Sequence, residues 1–307
     1  FSCSLLMAVT ENSIPASVSS PFKVIQQTSQ FIDVEFTLPS YDLSSASKDG
    51  ISYRKLSFEN AGSMLQPGMP DVPTFSAYIA IPFHGSISPE IIARDDSRLS
   101  NFIPYPQQDD SAKSTEQFSL NRDYYTHGGI YPQQTMNVSD PQILRDLRIV
   151  NLTLYPFSYD ANSKSMTVSK TMRVRISFNS TRGINELDPP VDLAPSFEPI
   201  YRAQVLNYGM DRDVAAAYSQ ERILMIVPYT TDSTFLARLY SLIDWKKQKG
   251  YQVSYRMLLA SPTTVSVKTV IQDAYDSLAV RPTYVILIGD ASGTFTIPTW
   301  MHSWSSY

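Results

Sequence analysis

The feature that most constrains the fold of this sequence is a change in its hydrophobic periodicity near residue 181. Before that point, apolar and polar residues alternate in short runs, as in residues 32–36, 150–154 and 172–178. After it, residues 221–290 read as strand, helix, strand, helix, strand. Strict alternation is typical of antiparallel strands with one buried face, and the second pattern is typical of a parallel α/β sheet. The sequence therefore predicts two domains of different class.

The placement of proline supports this division. Of the 21 prolines, 17 lie at or before Pro199, and proline disrupts helices but is tolerated in turns and at strand edges. We predict a β-sandwich over residues 21–181, with turns at the groups 68–73 and 159–164. Between Arg94 and Gln134 the alternation weakens, which predicts either a long functional loop or a solvated connection with one or two short strands.

Residues 221–307 are predicted to begin an α/β domain. The apolar run 223–227 and the runs 251–257 and 284–288 fit strands, and apolar positions spaced as one helix face lie between them. Chemistry in such sheets lies beyond the carboxyl ends of the strands. The third strand ends in Gly289-Asp290, and Asp290 there can bind a metal, orient a catalytic group or cap the next turn.

Composition and isolated residues exclude several functions. A net charge of −4 offers no basic field for nucleic acid, and the sequence lacks a glycine-rich phosphate loop and a zinc-ligand cluster. No apolar run is long enough to span a bilayer. The single cysteine, Cys3, excludes an intrachain disulfide. Residues 1–20 are interpreted as a signal-peptide remnant or a disordered terminus.

Residues 182–220 show little periodicity, and their prolines predict an extended linker. Arginines recur along it and just beyond, at Arg182, Arg202, Arg212 and Arg222. In an inactive precursor, an exposed flexible linker is where a protease can bind and cut. Arg202 and Arg212 are the predicted processing sites.

The α/β segment resembles the start of the catalytic domain of the gingipain family of cysteine peptidases. Four blocks carry the resemblance: Ile223 to Pro228, Asp244 to Gly250, Ser261 to Thr264, and Thr283 to Asp290. The first domain is similar, more loosely, to the propeptide that precedes those peptidases, through the groups at 68–70, 80–82, 131–132, 144–148 and 155–156. Together the two resemblances extend from about Val24 onward.

The resemblance implies a secreted or surface-located bacterial endopeptidase, exported through the periplasm and made as a zymogen with a β-sandwich propeptide. It implies a caspase-like α/β domain with a catalytic His and Cys after the third strand, protein or peptide substrates, and bound calcium, for which Asp290 is a candidate ligand. Neither His302 nor Cys3 matches the catalytic motifs. We therefore expect no catalytic residue in these 307 residues, an inactive chain by itself, and a longer parent protein.

The family also implies that the propeptide inhibits its cognate catalytic domain by placing a loop across the active site. A basic side chain would enter the pocket if the specificity is for basic residues, and the candidates in the irregular segment are Arg94, Arg98, Lys113 and Arg122. The alternative is a non-catalytic surface module or one associated with type IX secretion. A nucleotide- or flavin-binding α/β domain is a third reading, against which the missing glycine loop argues.

Overall fold

The structure, a computed structural model, describes residues 20–109, 118–187, 192–209, 217–218, 220–277 and 281–300. The described residues of 20–187 and 202–209 form one compact unit, here unit 1, and those of 192–201 and 217–300 form a second, unit 2. Apart from Ser20, the predicted signal-peptide remnant or disordered terminus lies outside the described residues.

Unit 1 consists mainly of antiparallel strands. They are β1 (Phe22–Gln27), β2 (Phe31–Thr37), β3 (Asp42–Lys48), β4 (Ile51–Ser57), β5 (Gly62–Ser63), β6 (Pro73–Ala80), β7 (Ser86–Ser100), β8 (Ile130–Tyr131), β9 (Met136–Val138), β10 (Gln142–Leu144), β11 (Leu147–Leu154), β12 (Phe157–Asp160) and β13 (Ser165–Asn179). A short helix, α1 (Arg122–His127), precedes β8.

A six-stranded sheet in unit 1 is built around β13. Its order is β1-β2-β13-β12-β8, and β7 pairs along the whole of the other edge of β13. The alternation predicted in β2 is confirmed, because Ile32, Val34 and Phe36 are buried. On the polar face, Asp33 of β2 pairs with Arg175 of β13, which donates to both carboxylate oxygens at 2.8 Å. Such cross-strand pairs stabilise one face while the apolar residues fill the other.

A five-stranded sheet faces this one across a shared core. Its order is β10-β11-β6-β5, with β9 also paired to β11. Side chains from both sheets meet in the larger core of unit 1, which is the packing of a β-sandwich. That core contains Phe22, Ile32, Val34, Phe36, Phe75, Ile79, Ile81, Val150, Leu152, Leu154, Met172, Val174 and Ile176.

A smaller core lies at the other end of β13. It contains Val72, Phe102, Tyr131, Phe157, Tyr159, Ala161, Met166 and Val168. The hairpin of β3 and β4 lies outside the two sheets, and Arg54 of β4 exchanges backbone hydrogen bonds with Ile103 and Tyr105. The segment that follows β7 is therefore held by Phe102, which lies in the smaller core, and by these hydrogen bonds to β4.

The structure corrects the predicted start of the irregular segment. Residues 94–100 are not loop but the second half of β7, paired to β13 down to Ser100 with Ser165. Most side chains of β7 are exposed, so burial imposes no alternation on its sequence. Residues 94–100 form a strand because they pair with β13 along one edge. That pairing leaves no pattern in the side chains.

Unit 2 has a three-stranded parallel sheet with helices on both faces. Its elements are β14 (Asp192–Leu193), a 3-10 helix (Pro195–Phe197), α2 (Glu198–Gln204), β15 (Ala217–Tyr218), β16 (Arg222–Val227), α3 (Ser233–Gln248), β17 (Gln252–Met257), α4 (Thr264–Ser277) and β18 (Tyr284–Leu287). The order β17-β16-β18 places β16 at the centre, which agrees with the unbroken apolar run predicted there. The boundary between the units falls within α2.

Each face of β16 is covered by one helix. Ile223, Met225 and Val227 pack with Leu239 and Ile243 of α3. Leu224 and Ile226 point to the other face and pack with Val267 and Ala274 of α4. The predicted fold class, a strand-rich domain followed by a parallel α/β sheet, is confirmed.

The linker contains more regular structure than its prolines suggest. The predicted extended path is wrong over residues 195–204, which form the 3-10 helix and α2. Pro195 lies in the first turn, where proline is accommodated because its missing N–H would have no helical partner. Across the described ranges, no helix is both apolar and long enough to cross a membrane.

Candidate functional site

An aromatic cluster in unit 1 organises the segment that follows β7. Neighbouring rings in it have centroids 5.6 to 6.3 Å apart. Aromatic pairs at these separations attract beyond the area that they bury. The cluster joins α1, β4, β8 and β12 to residues on either side of positions 110–117. Its members are Tyr53, Tyr105, Phe118, Tyr124, Tyr125, Tyr131 and Tyr159.

The hydroxyl groups of the cluster bind backbone and side-chain oxygens. The single hydroxyl proton of Tyr124 is shared between the Gly129 carbonyl at 3.1 Å and the Tyr159 carbonyl at 3.2 Å. Tyr125 donates to the Pro104 carbonyl at 2.9 Å. Burial raises the pKa of Tyr124 and of Tyr125, and it raises the pKa of Tyr159 to about 12. These phenols therefore stay neutral to a higher pH than a solvent-exposed tyrosine would.

The two chain ends that flank residues 110–117 are fastened to each other. The Gln108 carboxamide accepts from the Ser119 N–H at 3.0 Å and donates to the Ser119 carbonyl at 3.2 Å. Gln107 exchanges backbone hydrogen bonds with Gly68 and Met69, and Asn121 donates to the Gly68 carbonyl at 2.9 Å. We call these fastened residues with the aromatic cluster the loop platform.

Two of the four predicted inhibitory residues are already engaged within unit 1. Arg94 forms an ion pair with Asp96 at 2.7 Å. Arg98 donates to the hydroxyls of Ser165 and Ser163, both at 2.9 Å. Both arginines lie in β7, so the prediction that they belong to an irregular segment is wrong.

Arg122 is placed differently. It is the first residue of α1 and is exposed, and its guanidinium makes no hydrogen bond or ion pair with another residue that the structure describes. Asn121 caps the helix by accepting from the Tyr124 N–H at 3.0 Å. The loop platform thus presents one available basic side chain among the described candidates, and Lys113 lies outside the described residues.

The predicted processing residues fall in different places. Arg202 lies in α2, with its guanidinium carbon 5.8 Å from the ring centroid of Tyr208. A protease binds its substrate extended, so cutting after Arg202 requires α2 to open locally. Arg212 lies outside the described residues.

The carboxyl edge of the parallel sheet is the second place where chemistry was expected. The Asp290 carboxylate accepts from the Ala291 N–H at 2.6 Å, and the Asp290 backbone binds Phe295 and Ile297 at 2.9 and 2.8 Å. Asp290 therefore stabilises the loop of residues 290–297 through these hydrogen bonds. A cavity of about 510 Å³ lies between α4 and this loop, and its lining includes Lys268, Asp290 and Trp300.

The residues at this edge do not complete a metal site or a catalytic set. In the part of the chain that the structure describes, no three His, Cys, Asp or Glu side chains converge. Calcium prefers six to eight oxygen ligands, so the described residues around Asp290 do not fit it by themselves. Cys3 and His302 lie outside the described residues, so their environments are not part of the site.

Unit 1 and unit 2 together define a class: an antiparallel β domain followed in the chain by the β-α-β-α-β opening of an α/β domain. Comparison with known families gives the particular family. The family model described as Propeptide_C25 matches residues 18–189, and the model described as Peptidase family C25 matches residues 217–307. The chain belongs to the C25, or gingipain, family, as a propeptide followed by the N-terminal part of the peptidase domain.

Curated relatives agree with this assignment. Gingipain R1 of Porphyromonas gingivalis is 23% identical over 235 residues, which cover 74% of this chain and 23% of the relative. Lys-gingipain HG66 of the same organism is 23% identical over 277 residues, covering 84% of this chain and 16% of the relative. The chain therefore spans less than a quarter of the length of these two relatives.

A solved structure shares the fold. It is described as the complex of Porphyromonas gingivalis RgpB pro- and mature domains, with a TM-score of 0.55 and 18% sequence identity. The match covers 62% of this chain and 98% of that chain. At this identity the comparison supports the architecture only.

Proposed function

We propose that the chain is the zymogen portion of a secreted or surface-located gingipain-like cysteine endopeptidase. Its propeptide would inhibit the cognate catalytic domain or assist its folding. The observation that carries this proposal is the tandem arrangement of the two family matches, 18–189 followed by 217–307. The catalytic His and Cys are proposed to lie outside residues 1–307, and the substrates are proposed to be proteins or peptides.

The loop platform supports an inhibitory mechanism. A segment that blocks a protease cleft binds more tightly when its ends are held in place beforehand, because pre-organisation lowers the entropic cost of binding. Gln108, Ser119 and the aromatic cluster hold the chain on either side of positions 110–117. Arg122 is exposed next to these fastened residues, so it is the favoured described residue for a pocket that accepts basic side chains, with Lys113 as the other open candidate.

Inhibition assayed in trans tests the proposal. The 307-residue chain is added to the mature cognate peptidase, and hydrolysis of a short peptide substrate is followed. We expect inhibition that saturates with a one-to-one stoichiometry. If the chain neither inhibits the peptidase nor raises the yield of active enzyme on refolding, the proposed function is wrong.

Calcium binding through Asp290 stays a prediction. It would require further oxygen ligands from outside the described residues. A calcium titration of the complete peptidase, followed by thermal unfolding and repeated with Asp290→Asn, tests it.

A further inference from the structure

The chain passes between the two units more often than a simple linker requires. The described residues up to 187 belong to unit 1, residues 192–201 to unit 2, residues 202–209 back to unit 1, and residues from 217 onward to unit 2. We call residues 192–201 the arm and residues 202–209 the strap. The arm belongs to unit 2 but is preceded in the chain by residues of unit 1. The strap belongs to unit 1 but is followed by residues of unit 2.

The arm packs within unit 2 at the amino end of its parallel sheet. The Ser196 N–H donates to the Glu221 carboxylate at 2.8 Å, and the Ser196 hydroxyl hydrogen-bonds the Tyr284 hydroxyl. The Phe197 ring stacks on Tyr284 with centroids 6.1 Å apart. Tyr201, the last residue of the arm, is 1% exposed, and its ring centroid lies 6.2 Å from that of Phe197. Glu221 immediately precedes β16, and Tyr284 is the first residue of β18. Both strands belong to the peptidase part.

The strap packs within unit 1 along β6. Val205 forms a parallel bridge with Tyr78, and the Leu206 N–H donates to the Tyr78 carbonyl at 2.9 Å. Val205 is 4% exposed. The strap thus makes a one-residue β-bridge to β6, beyond the end of the family match at residue 189.

Asn207 fixes the register of the strap. Its carboxamide accepts from the Ala80 N–H at 2.8 Å and donates to the Ala80 carbonyl at 2.9 Å, as a paired backbone would. It also donates to the Gln27 side chain at 3.0 Å. Asn207 is 5% exposed, and removing a buried partner of this kind leaves polar groups without hydrogen bonds.

We propose that the arm and the strap form a clasp that keeps propeptide and peptidase parts associated after a single cut in the linker. A cut between 187 and 192 leaves the strap on the C-terminal fragment, docked in unit 1. A cut between 209 and 217 leaves the arm on the N-terminal fragment, docked in unit 2. A cut after Arg202 leaves the arm on the N-terminal fragment, docked in unit 2, and the rest of the strap on the C-terminal fragment, docked in unit 1. Separation therefore requires two cuts, one on each side of residues 192–209.

The clasp rests on the proposed function only for its biological meaning, since association of the fragments is measured without any peptidase activity. Recognition sequences for a site-specific protease are inserted between Leu187 and Asp192 (first site), between Gly209 and Ala217 (second site), or at both. Each cut chain is diluted stepwise, and dissociation of its fragments is followed by size-exclusion chromatography. We expect each singly cut chain to dissociate at a concentration at least tenfold lower than the doubly cut chain.

Two substitutions give a crossed pattern that general misfolding cannot produce. Asn207→Ala should weaken association at least tenfold after cutting at the first site and leave it unchanged after cutting at the second. Phe197→Ala should do the reverse. Asn162→Ala, an exposed turn residue, is the matched control and should change neither. Equal dissociation of singly and doubly cut chains, or equal effects of both substitutions at both sites, would overturn the clasp, whether or not the chain inhibits a peptidase.

Discussion

Arg148 donates two hydrogen bonds to the carbonyl of Ile184, from Nε at 3.1 Å and from Nη2 at 2.7 Å. Arg148 is 1% exposed, and its Nη1 donates to the Pro82 carbonyl at 2.9 Å. Burial lowers the pKa of Arg148. A buried cation satisfied by carbonyl groups therefore holds residues 183–187 against the turn that follows β6.

Replacing Arg148 should destabilise unit 1 strongly. Arg148→Met keeps much of the volume but leaves two carbonyl groups without donors, so we expect the free energy of unfolding to fall by about 2–4 kcal/mol. Arg94→Met is the matched control, because its surface ion pair with Asp96 is worth less than about 1 kcal/mol. Denaturant unfolding followed by fluorescence measures both, and equal effects would contradict this role for Arg148.

Gly183 lies at the same contact and should not tolerate a side chain. A Cβ there would collide with the Gly85 carbonyl and with the Arg148 guanidinium. We expect Gly183→Ala to cost about 1–3 kcal/mol of unfolding free energy, as overpacking does. Gly129 has no atom within 4 Å of such a Cβ, so Gly129→Ala serves as the control and should be nearly neutral. Comparable melting temperatures for the two variants would refute the prediction.

Glu186 should make this region sensitive to acid. Hydrogen bonds from the Gly183 and Gly85 N–H groups, each 2.9 Å long, lower the pKa of Glu186 from its ordinary value of 4.5. Because the folded pKa lies below the unfolded one, this stabilisation is complete above pH 4.5 and is lost as the pH falls through the folded pKa. Glu186→Gln should flatten the acid limb of the stability profile, measured by thermal unfolding at successive pH values.

The aromatic cluster should lose stability in alkali. Burial, and secondarily the charge of Asp160, raise the pKa of Tyr159 from 10.0 to about 12. The folded pKa lies above the unfolded one, so the stabilisation is present below pH 10 and is lost as the pH rises through about 12. Tyr159→Phe should remove part of this dependence, which difference spectroscopy of the phenolate can follow. An unchanged alkaline profile in that variant would argue against the assignment.

Arg122 should contribute more to inhibition than the arginines of β7. We expect Arg122→Ala to weaken inhibition of the cognate peptidase in trans by roughly tenfold or more, as loss of a central arginine does at protein interfaces. Arg98→Ala removes a side chain already bonded to Ser163 and Ser165 and should change inhibition less than about threefold. Lys113→Ala belongs in the same series. If none of these substitutions weakens inhibition, the loop hypothesis fails.

Periodicity predicted the elements that bury one face and failed for those that do not. Residues 32–36 and 172–178 alternate because their apolar residues enter one core, and 223–227 is unbroken because helices cover both faces of β16. The second half of β7 has no buried face to impose a pattern. The positions of Arg94 and Arg98 could therefore be seen only in the paired strands.

Contacts between distant residues were equally invisible in the sequence. Asn207 and Ala80 are 127 positions apart, and no local signal distinguishes Asn207 from a surface asparagine. The loop platform depends in the same way on Tyr53 and Gln108, which are unremarkable in sequence. Such pairings arise from the packing of the whole unit, so local propensity carries no trace of them.

The length of β13 has a consequence for how unit 1 opens. Met166 and Val168 at its start belong to the smaller core, and Met172, Val174 and Ile176 belong to the larger one. Because one continuous strand contributes residues to both cores, unfolding of either core disrupts the packing of the other. Amide protons along β13 should therefore exchange with solvent at one common, slow rate set by global opening, while those of the β3–β4 hairpin exchange through local fluctuations.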